Sequence, residues 1–428
     1  MKRLLTLSIF TCSLYAQTTY SVDELIVEAL HNAPNLHIAK LTYDANMQKY
    51  RFAYASYLPK IDLKANATQT GMSDVPFHPD DMKTDTLLSG QLTFAQILYD
   101  FGATKGNVQS SHMQAKASLM QSQQYILNKK RDVKEAYYKI LEAQALIDVQ
   151  KENVKLNEAQ LYRAKRYYEA GIRTKIDVSD AKVSLIKAKI DFKKAQYNLK
   201  LAYANLDRVV GFTTIYKEYN VIVPKLQLNT LYDSIADYDL NLQEAVRYAY
   251  EHRLEIKEQN YRIKAQNAQL TTTQAQYYPS LYLLADYTKQ HAQNFDTFLP
   301  QDQWNIGLSL NWNLYAGGAT QASTQEKKIQ KNITTTQLRE NRLRIKQETT
   351  NAYIGVQKSK DSLELSQNLV SVSNEKFDQA SKRYEHGLSD FIELQQARQG
   401  YIDAKASLVI DYYNYYIAKA YLDNAIGK

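Results

Sequence analysis

The chain has 428 residues, with 53 basic and 45 acidic side chains and a formal charge of +8. Hydrophobic residues make up 44% and mean hydropathy is −0.51, which excludes a polytopic helical membrane protein, since that needs repeated apolar runs of about 20 residues. The 35 Tyr and 11 Phe are ample core material and exclude wholesale disorder, while only 7 Pro and 13 Gly favour long helices over a loop-rich α/β enzyme.

Residues 1–16 carry Lys2 and Arg3, then a mainly apolar run from Leu4 to Tyr15, with Ala16 suited to cleavage. This pattern reads as a secretory signal peptide, the competing reading being an ordinary N-terminal helix. Cleavage would remove Cys12, the one cysteine; Thr11 before it fits a lipid-attachment site poorly. A mature chain without thiols excludes disulfides, thiolate metal sites and Cys nucleophiles. A modest positive charge on so long a chain gives no reason to propose nucleic acid.

A first structural repeat follows over 17–211. A helix over about 37–57 stops at Tyr57-Leu58-Pro59, and strands are expected at about 61–70 and 87–98. The connection 71–86, with Asp74, Asp80, Asp81, Asp85, Pro76 and Pro79, reads as a polar exposed loop. A helix over about 104–170 comes next. Asn107–Ala170 lacks Gly and Pro, which at 1.5 Å per residue is about 96 Å of helix. Its residues Leu119, Ile126, Val133, Ile140, Ile147, Val154, Leu161 and Tyr168 fall seven apart, the repeat of a left-handed coiled coil. After a Gly171 turn, a return helix over about 174–210 carries one row of large residues from Val178 to Leu206. A second row holds Ala181, Ala188, Ala195 and Ala202, and a third Ile176, Val183, Ile190 and Tyr197. Stripes on several faces mean packing on several sides.

Residues 212–243, with Pro224 and no heptads, form a connector to a second repeat over 244–428. This repeat reads as a helix at 254–277, strands at about 281–290 and 304–314, a loop at 291–303 containing Pro300, and helices at about 319–386 and 390–426. Gly317-Gly318 reads as a strand-to-helix turn. The last helix has Leu394, Tyr401, Leu408, Tyr415 and Leu422 in one row; Asp411 breaks its alanine row.

The two repeats share landmarks 216 residues apart. Tyr99-Asp100-Phe101-Gly102 matches Tyr315-Ala316-Gly317-Gly318, Tyr168-Glu169-Ala170-Gly171 matches Tyr384-Glu385-His386-Gly387, and Leu206-Asp207 with Gly211 matches Leu422-Asp423 with Gly427. Upstream, Tyr57-Leu58-Pro59 matches Tyr277-Tyr278-Pro279 at an offset of 220. This is duplication of a large unit, not a solenoid of short repeats.

The strand at 304–314 alternates: Trp304, Ile306, Leu308, Leu310, Trp312 and Leu314 share one face, with Asn305, Gly307, Ser309, Asn311 and Asn313 on the other. One reading is a soluble antiparallel sheet. The other is a transmembrane barrel, with Trp304 and Trp312 near the ends of a lipid-facing strand. Four strands cannot enclose water, and open edges are forbidden in hydrocarbon, so a barrel would have to be shared among several chains.

Signal peptide, Tyr-x-Pro before paired strands, long helix, Gly turn and duplication together resemble the TolC family of outer-membrane efflux proteins. The most specific stretch is Arg383-Tyr384-Glu385-His386-Gly387-Leu388-Ser389-Asp390 before Ile392-Glu393-Leu394. Gly171-Ile172-Arg173 with Ile176-Asp177-Val178 is its first-repeat counterpart. The resemblance implies a mainly α fold with β: a homotrimer whose long antiparallel coiled-coil helices form an α-helical barrel in the periplasm, and whose four strands per chain make a shared 12-stranded transmembrane β-barrel in outer-membrane lipid. It also implies that 212–243 is the equatorial belt, with little sequence after Gly427 for a second belt segment.

No catalytic pattern is present. His31, His37, His78, His112, His252, His291 and His386 are scattered. His31 and His37, taken on one helix, have poor metal spacing, and no phosphate loop or nucleophile elbow occurs. The expectation is no enzyme, cofactor or metal. What the resemblance implies instead is a passive exit duct for small molecules or drugs, driven by an inner-membrane pump of RND or ABC type through a periplasmic adaptor. A type I protein-secretion channel is the alternative of the same class, and a soluble periplasmic coiled-coil scaffold that of another. The family pattern puts a periplasmic gate at Asp177, Glu393, Asp390, Tyr168, Tyr384 and Arg173, and adaptor docking at Gly171, Ile172, Gly387, Leu388 and Ser389. Ser389 stands where the family's second-repeat arginine would be, and Arg173 lies in the first repeat. Both carboxylates also suit solvated turn positions.

Overall fold

The structure is a computed structural model that describes residues 18–73, 82–213, 219–224, 230–235, 238–292 and 302–428. The signal-peptide reading and Cys12 fall outside these residues, as do Asp74, Pro76, Pro79, Asp80, Asp81 and Pro300 of the strand connections.

The elements repeat in order. Strand β1 (Thr18–Tyr20) precedes α1 (Val22–Asn32), α2 (Pro34–Tyr54), β2 (Lys60–Ser73), β3 (Met82–Tyr99), α3 (Ala103–Glu169) and α4 (Lys175–Val210). Strand β4 (Tyr219–Val221) precedes α5 (Leu242–His252), α6 (Leu254–Gln274), β5 (Ser280–Ala292), β6 (Asp302–Asn311), α7 (Ala319–Glu385) and α8 (Phe391–Ile426). Helices α1 and α5 were not legible as separate elements in the sequence reading. Each opens on the same local chemistry. Ser21 Oγ accepts the Glu24 N–H while Glu24 Oε2 accepts the Ser21 N–H at 2.7 Å; Asn241 and Glu244 repeat both bonds at 2.9 and 3.0 Å. These capping boxes satisfy amides that a helix start leaves orphaned. Pro34 then begins α2, so His31 and His37 lie on different helices and not on one.

The strands are longer at the loop end than the sequence reading has them. Gly71 pairs with Thr84 and Ser73 with Met82, so much of the expected 71–86 loop, Asp85 included, is ladder; Lys289 pairs with Asp302 in the same way. Loop-type residues do not end a strand whose partner continues. At the other end β6 stops at Asn311, leaving Trp312 beyond it, with the Trp312 indole donating to the Tyr277 carbonyl at 3.2 Å.

The chain forms two compact units. One comprises residues 38–123 and 254–343. Its four-stranded sheet runs in the order β2-β3-β5-β6, antiparallel throughout, with β3 and β5 joining the two repeats. The outer edges of β2 and β6 have no strand partner among the described residues. In the same unit the start of α3 packs on the backbone of α6. A Cβ on Gly106 would lie 2.6 Å from the Ala268 carbonyl oxygen, so only glycine permits that approach.

The other unit holds the remainder of α3, α4, α7 and α8, with α1, α5 and a parallel β1–β4 pair. Here α3 and α8 lie side by side: Lys405 Nζ meets Glu152 Oε2 at 2.6 Å, Tyr421 donates to Glu135 at 2.7 Å, and the rings of Tyr138 and Tyr416 are 5.3 Å apart. Asp411, which breaks the alanine row, accepts a hydrogen bond from the Ser366 hydroxyl. The core is in pieces. A central cluster includes Leu25, Val133, Ile140, Leu206 and Tyr413. A separate cluster near the hairpin turns holds Ala164, Ala181, Ala380, Tyr384, Phe391, Leu394 and Ala397.

Candidate functional site

Two turns close the long hairpins, and their backbones are alike. At the first, Gly171 has φ +72° and donates to the Tyr168 carbonyl at 3.0 Å, and Ile172 N–H reaches the Tyr167 carbonyl at 2.9 Å. At the second, Gly387 has φ +74° and donates to the Tyr384 carbonyl at 3.2 Å, and Leu388 N–H reaches the Arg383 carbonyl at 2.8 Å. A Cβ at either glycine would meet nothing within 4 Å, so the left-handed backbone and not lack of space selects glycine there. Ile172 and Leu388 project into solvent.

The helix starts beyond the turns use their acids differently. Asp177 is tied into the cap of α4, its Oδ2 accepting from the Thr174 N–H at 3.1 Å and the Thr174 hydroxyl at 3.3 Å. In α8 the cap role passes to Asp390, whose Oδ1 accepts the Glu393 N–H at 2.8 Å. The Glu393 carboxylate is left with an exposed partner, Arg383, at 3.6 Å.

Between the turns, Arg173 reaches from the first to the second. Its guanidinium lies 4.8 Å from the centre of the Tyr384 ring and donates to the Ser389 carbonyl at 3.0 Å. Arg163 of α3 adds an ion pair with Glu385 of α7. Tyr384 is 1% exposed and packs against Phe391 and Tyr167, whereas Tyr168 is 47% exposed. Burial, helped by the nearby charge of Asp177, raises the Tyr384 phenol pKa above its ordinary value. Its hydroxyl has no hydrogen-bond partner among the described residues.

A second surface is the sheet face. Trp304, Ile306, Leu308, Leu310 and Trp312 are all exposed. The register sets Trp304 beside Tyr287, Ile306 beside Ala285 and Leu308 beside Leu283; Tyr287 neighbours Leu92, which neighbours Leu63. The apolar row therefore crosses all four strands. On the opposite face Asp62, Thr93, Asp286 and Asn305 line up, with Asn305 Nδ2 donating to Asp286 at 3.1 Å. A sheet exposing a continuous apolar face and a hydrogen-bonded polar one is built for two different solvents. No helix among the described residues is long and apolar enough to cross a membrane.

The family model for "Outer membrane efflux protein" matches residues 25–212 and 245–428. The chain belongs to the outer membrane efflux protein family. It is 23% identical over 421 residues to the toluene efflux pump outer membrane protein TtgC of Pseudomonas putida, covering 95% of this chain and 83% of that one. The antibiotic efflux pump outer membrane protein ArpC of Pseudomonas putida matches to the same extent. Among solved structures, CusC superposes with a TM-score of 0.84 at 18% identity, covering 96% of this chain and 93% of that one. The outer membrane protein VceC of Vibrio cholerae gives 0.80 at 19%, covering 95% and 96%. At these identities the structures report the fold. Membership in the family makes this an efflux protein of the outer membrane and displaces the reading as a soluble periplasmic scaffold.

Within this outer membrane efflux protein, Arg173, Tyr384 and Ser389 are brought together and Asp177 lies close enough to act on the Tyr384 phenol, while Tyr168 stands apart in solvent. Arg163 was missed in the sequence reading. Nothing in its spacing marks it, because its partner Glu385 comes from a helix more than two hundred residues away.

Proposed function

We propose that three copies of this outer membrane efflux protein close a 12-stranded barrel and a periplasmic helical tunnel. That assembly is a passive exit duct for small molecules, driven by an inner-membrane pump of RND or ABC type through a periplasmic adaptor. The observation that carries this reading is the four-stranded sheet whose two outer edges have no strand partner among the described residues, under a continuous apolar face. Unpaired strand edges cannot face lipid, and one chain has too few strands to join its own.

The helices support the same number of partners on each side. With α3 and α8 adjacent, α4 leaves Ile176, Val183, Ile190 and Tyr197 exposed, and α7 leaves Leu365, Leu369 and Val372 exposed. Two different apolar stripes on one chain suit a head-to-tail interface, which closes into a ring. The named cargoes of the relatives, toluene and antibiotics, favour small molecules.

In this reading the turns lie at the periplasmic entrance. Glu393, whose charge has only a solvent-exposed partner, is the principal carboxylate of the constriction; Asp390 and Asp177 are primarily cap residues that add negative potential. Three copies of Glu393 about one axis would attract cations. Arg173 and Tyr384 hold the two turns together and Tyr168 faces outward. Gly171, Ile172, Gly387, Leu388 and Ser389 present the adaptor with exposed apolar tips on rigid turns. The duct is tested by extracting the protein from outer membranes. A heat-modifiable trimer that forms ion-conducting pores in planar bilayers is expected; a folded monomer, soluble without detergent, overturns the reading.

A further inference from the structure

The two repeats are packed differently beside their long helices. In the first, Tyr137, Ile140 and Leu141 of α3 are buried, and Ala145 and Leu199 pack against the same cluster. The Tyr137 hydroxyl donates to the Ile222 carbonyl at 2.9 Å. The chain itself fills that place. At the matching positions 216 residues on stand Tyr353, Val356, Gln357, Asp361 and Tyr415. A leucine and an alanine have given way to an amide and a carboxylate, and a second leucine to a tyrosine. With Tyr232 and Tyr238 of the connector these residues line a cavity of about 510 Å³.

Protein interiors are close-packed, and an opening of this size falls in the range of small-molecule sites. Its lining has one dominant chemistry. Tyr415 is fully buried and Tyr232, Tyr238 and Tyr353 are half-buried, so four phenol rings share the cavity wall. The Tyr238 hydroxyl is held by Asp423 at 3.2 Å. Asp361 stands at the rim, exposed and without an ion-pair partner among the described residues, whereas its neighbour Lys360 has a partner of its own. The electron-rich faces of aromatic rings attract cations, more strongly where water is excluded. A carboxylate at the mouth adds to that attraction. No group of three metal-ligating side chains occurs among the described residues, so the donor set suits an organic cation and not a metal ion.

We propose that this cavity binds an organic cation with an alkylated ammonium head, which the four tyrosines surround and Asp361 draws in. Tyr232 and Tyr238 belong to the connector, Tyr353 to α7 and Tyr415 to α8, so the bound cation ties the connector to both helices. The site is built within the helical unit of one chain. It depends neither on the proposed duct nor on the carboxylates at the turns.

The test is a titration of the detergent-solubilised full protein with choline at constant ionic strength, read by saturation-transfer NMR of the ligand. Choline should bind saturably, and its neutral isostere, in which carbon replaces the ammonium nitrogen, at least about tenfold more weakly, a loss of one cation–π contribution. Tyr353→Leu should weaken choline binding about tenfold and Asp361→Asn about threefold. The second variant is on the surface and serves should the first fail to fold. Glu393→Ala should leave choline binding unchanged, which separates this cavity from the turns. No saturable binding of choline overturns the proposal, and so does equal binding of the neutral isostere. Binding that is lost in Glu393→Ala but kept in Tyr353→Leu and Asp361→Asn would move the cation to the turns and overturn it as well.

Discussion

Gly171 and Gly387 turn the chain with the same backbone, yet the side chains around them have diverged. The second turn buries Tyr384, where the first leaves Tyr168 in solvent. The first turn supplies Arg173, which crosses to the second and bonds the carbonyl of Ser389, the residue at its own repeat position. The same division of labour recurs at the far ends of the return helices. The carbonyl of Val209 accepts from Lys129 of α3 at 3.0 Å; the equivalent carbonyl of Ala425 accepts from Arg253, between α5 and α6, at 3.0 Å and from Thr349 at 3.2 Å. Duplication has kept the demand, an orphan helix-end carbonyl, and changed the element that meets it. Backbone requirements constrain both copies alike, while side-chain partners are free to come from either.

The largest effect should separate the two tyrosines. Tyr384→Ala empties the centre of the turn cluster and should cost ~3–5 kcal/mol locally. Tyr168→Ala, on an exposed position, should fall within ~0.5 kcal/mol. Amide hydrogen exchange across 391–397 reads both. Similar protection in the two variants would break the asymmetry. Next, Arg173→Met removes a cation–π contact and a charged hydrogen bond, an expected loss of about 1–2 kcal/mol. The loss should be seen as faster exchange in the second turn, not in its own. Arg383→Met, whose pairing with Glu393 is exposed, should leave exchange there nearly unchanged.

Much of this was legible because it rests on backbone chemistry. Long helices follow from the absence of Gly and Pro, the turns from glycine, and the sheet face from alternation at 304–310. What resisted reading depends on partners distant in sequence. The row from Leu119 to Tyr168 repeats every seven residues, yet only Val133 and Ile140 of it are fully buried, whereas its second-repeat counterpart, Val356, Leu363, Val370, Phe377 and Tyr384, is buried at every position but Phe377, which is half-buried. A heptad shows that a stripe exists, not which neighbour covers it. Asp177 and Glu393 looked equivalent because they match at one offset. Their difference lies in the caps, where Thr174 leaves the acid at 177 to complete the bonding and Asp390 does the capping itself.

That difference gives the third test. Glu393→Ala should markedly weaken block of single-channel current by multivalent cations with little change in stability. Asp177→Ala should weaken block less and instead cost roughly 0.5–1 kcal/mol at the start of α4. Equal block in both variants would restore the two carboxylates to one role.

The smallest effect concerns protonation of the buried phenol. The Tyr384 hydroxyl has no partner among the described residues, so Tyr384→Phe should be close to neutral in stability at pH 7, replacing an unsatisfied group by a shape-matched apolar one. The two proteins should part in alkali. Burial raises the Tyr384 pKa above the 10.0 of a free tyrosine, so the neutral form is favoured in the folded state. Its contribution is complete below pH 10 and is lost as pH rises from there through the folded value, because the unfolded chain gives up its proton first. Exchange of the 391–397 amides should therefore accelerate above pH 10 in the unmodified protein and less steeply in Tyr384→Phe. Parallel alkaline curves for the unmodified protein and Tyr384→Phe would mean that burial leaves the Tyr384 phenol unshifted, and the contrast between the two turns would then be one of packing alone.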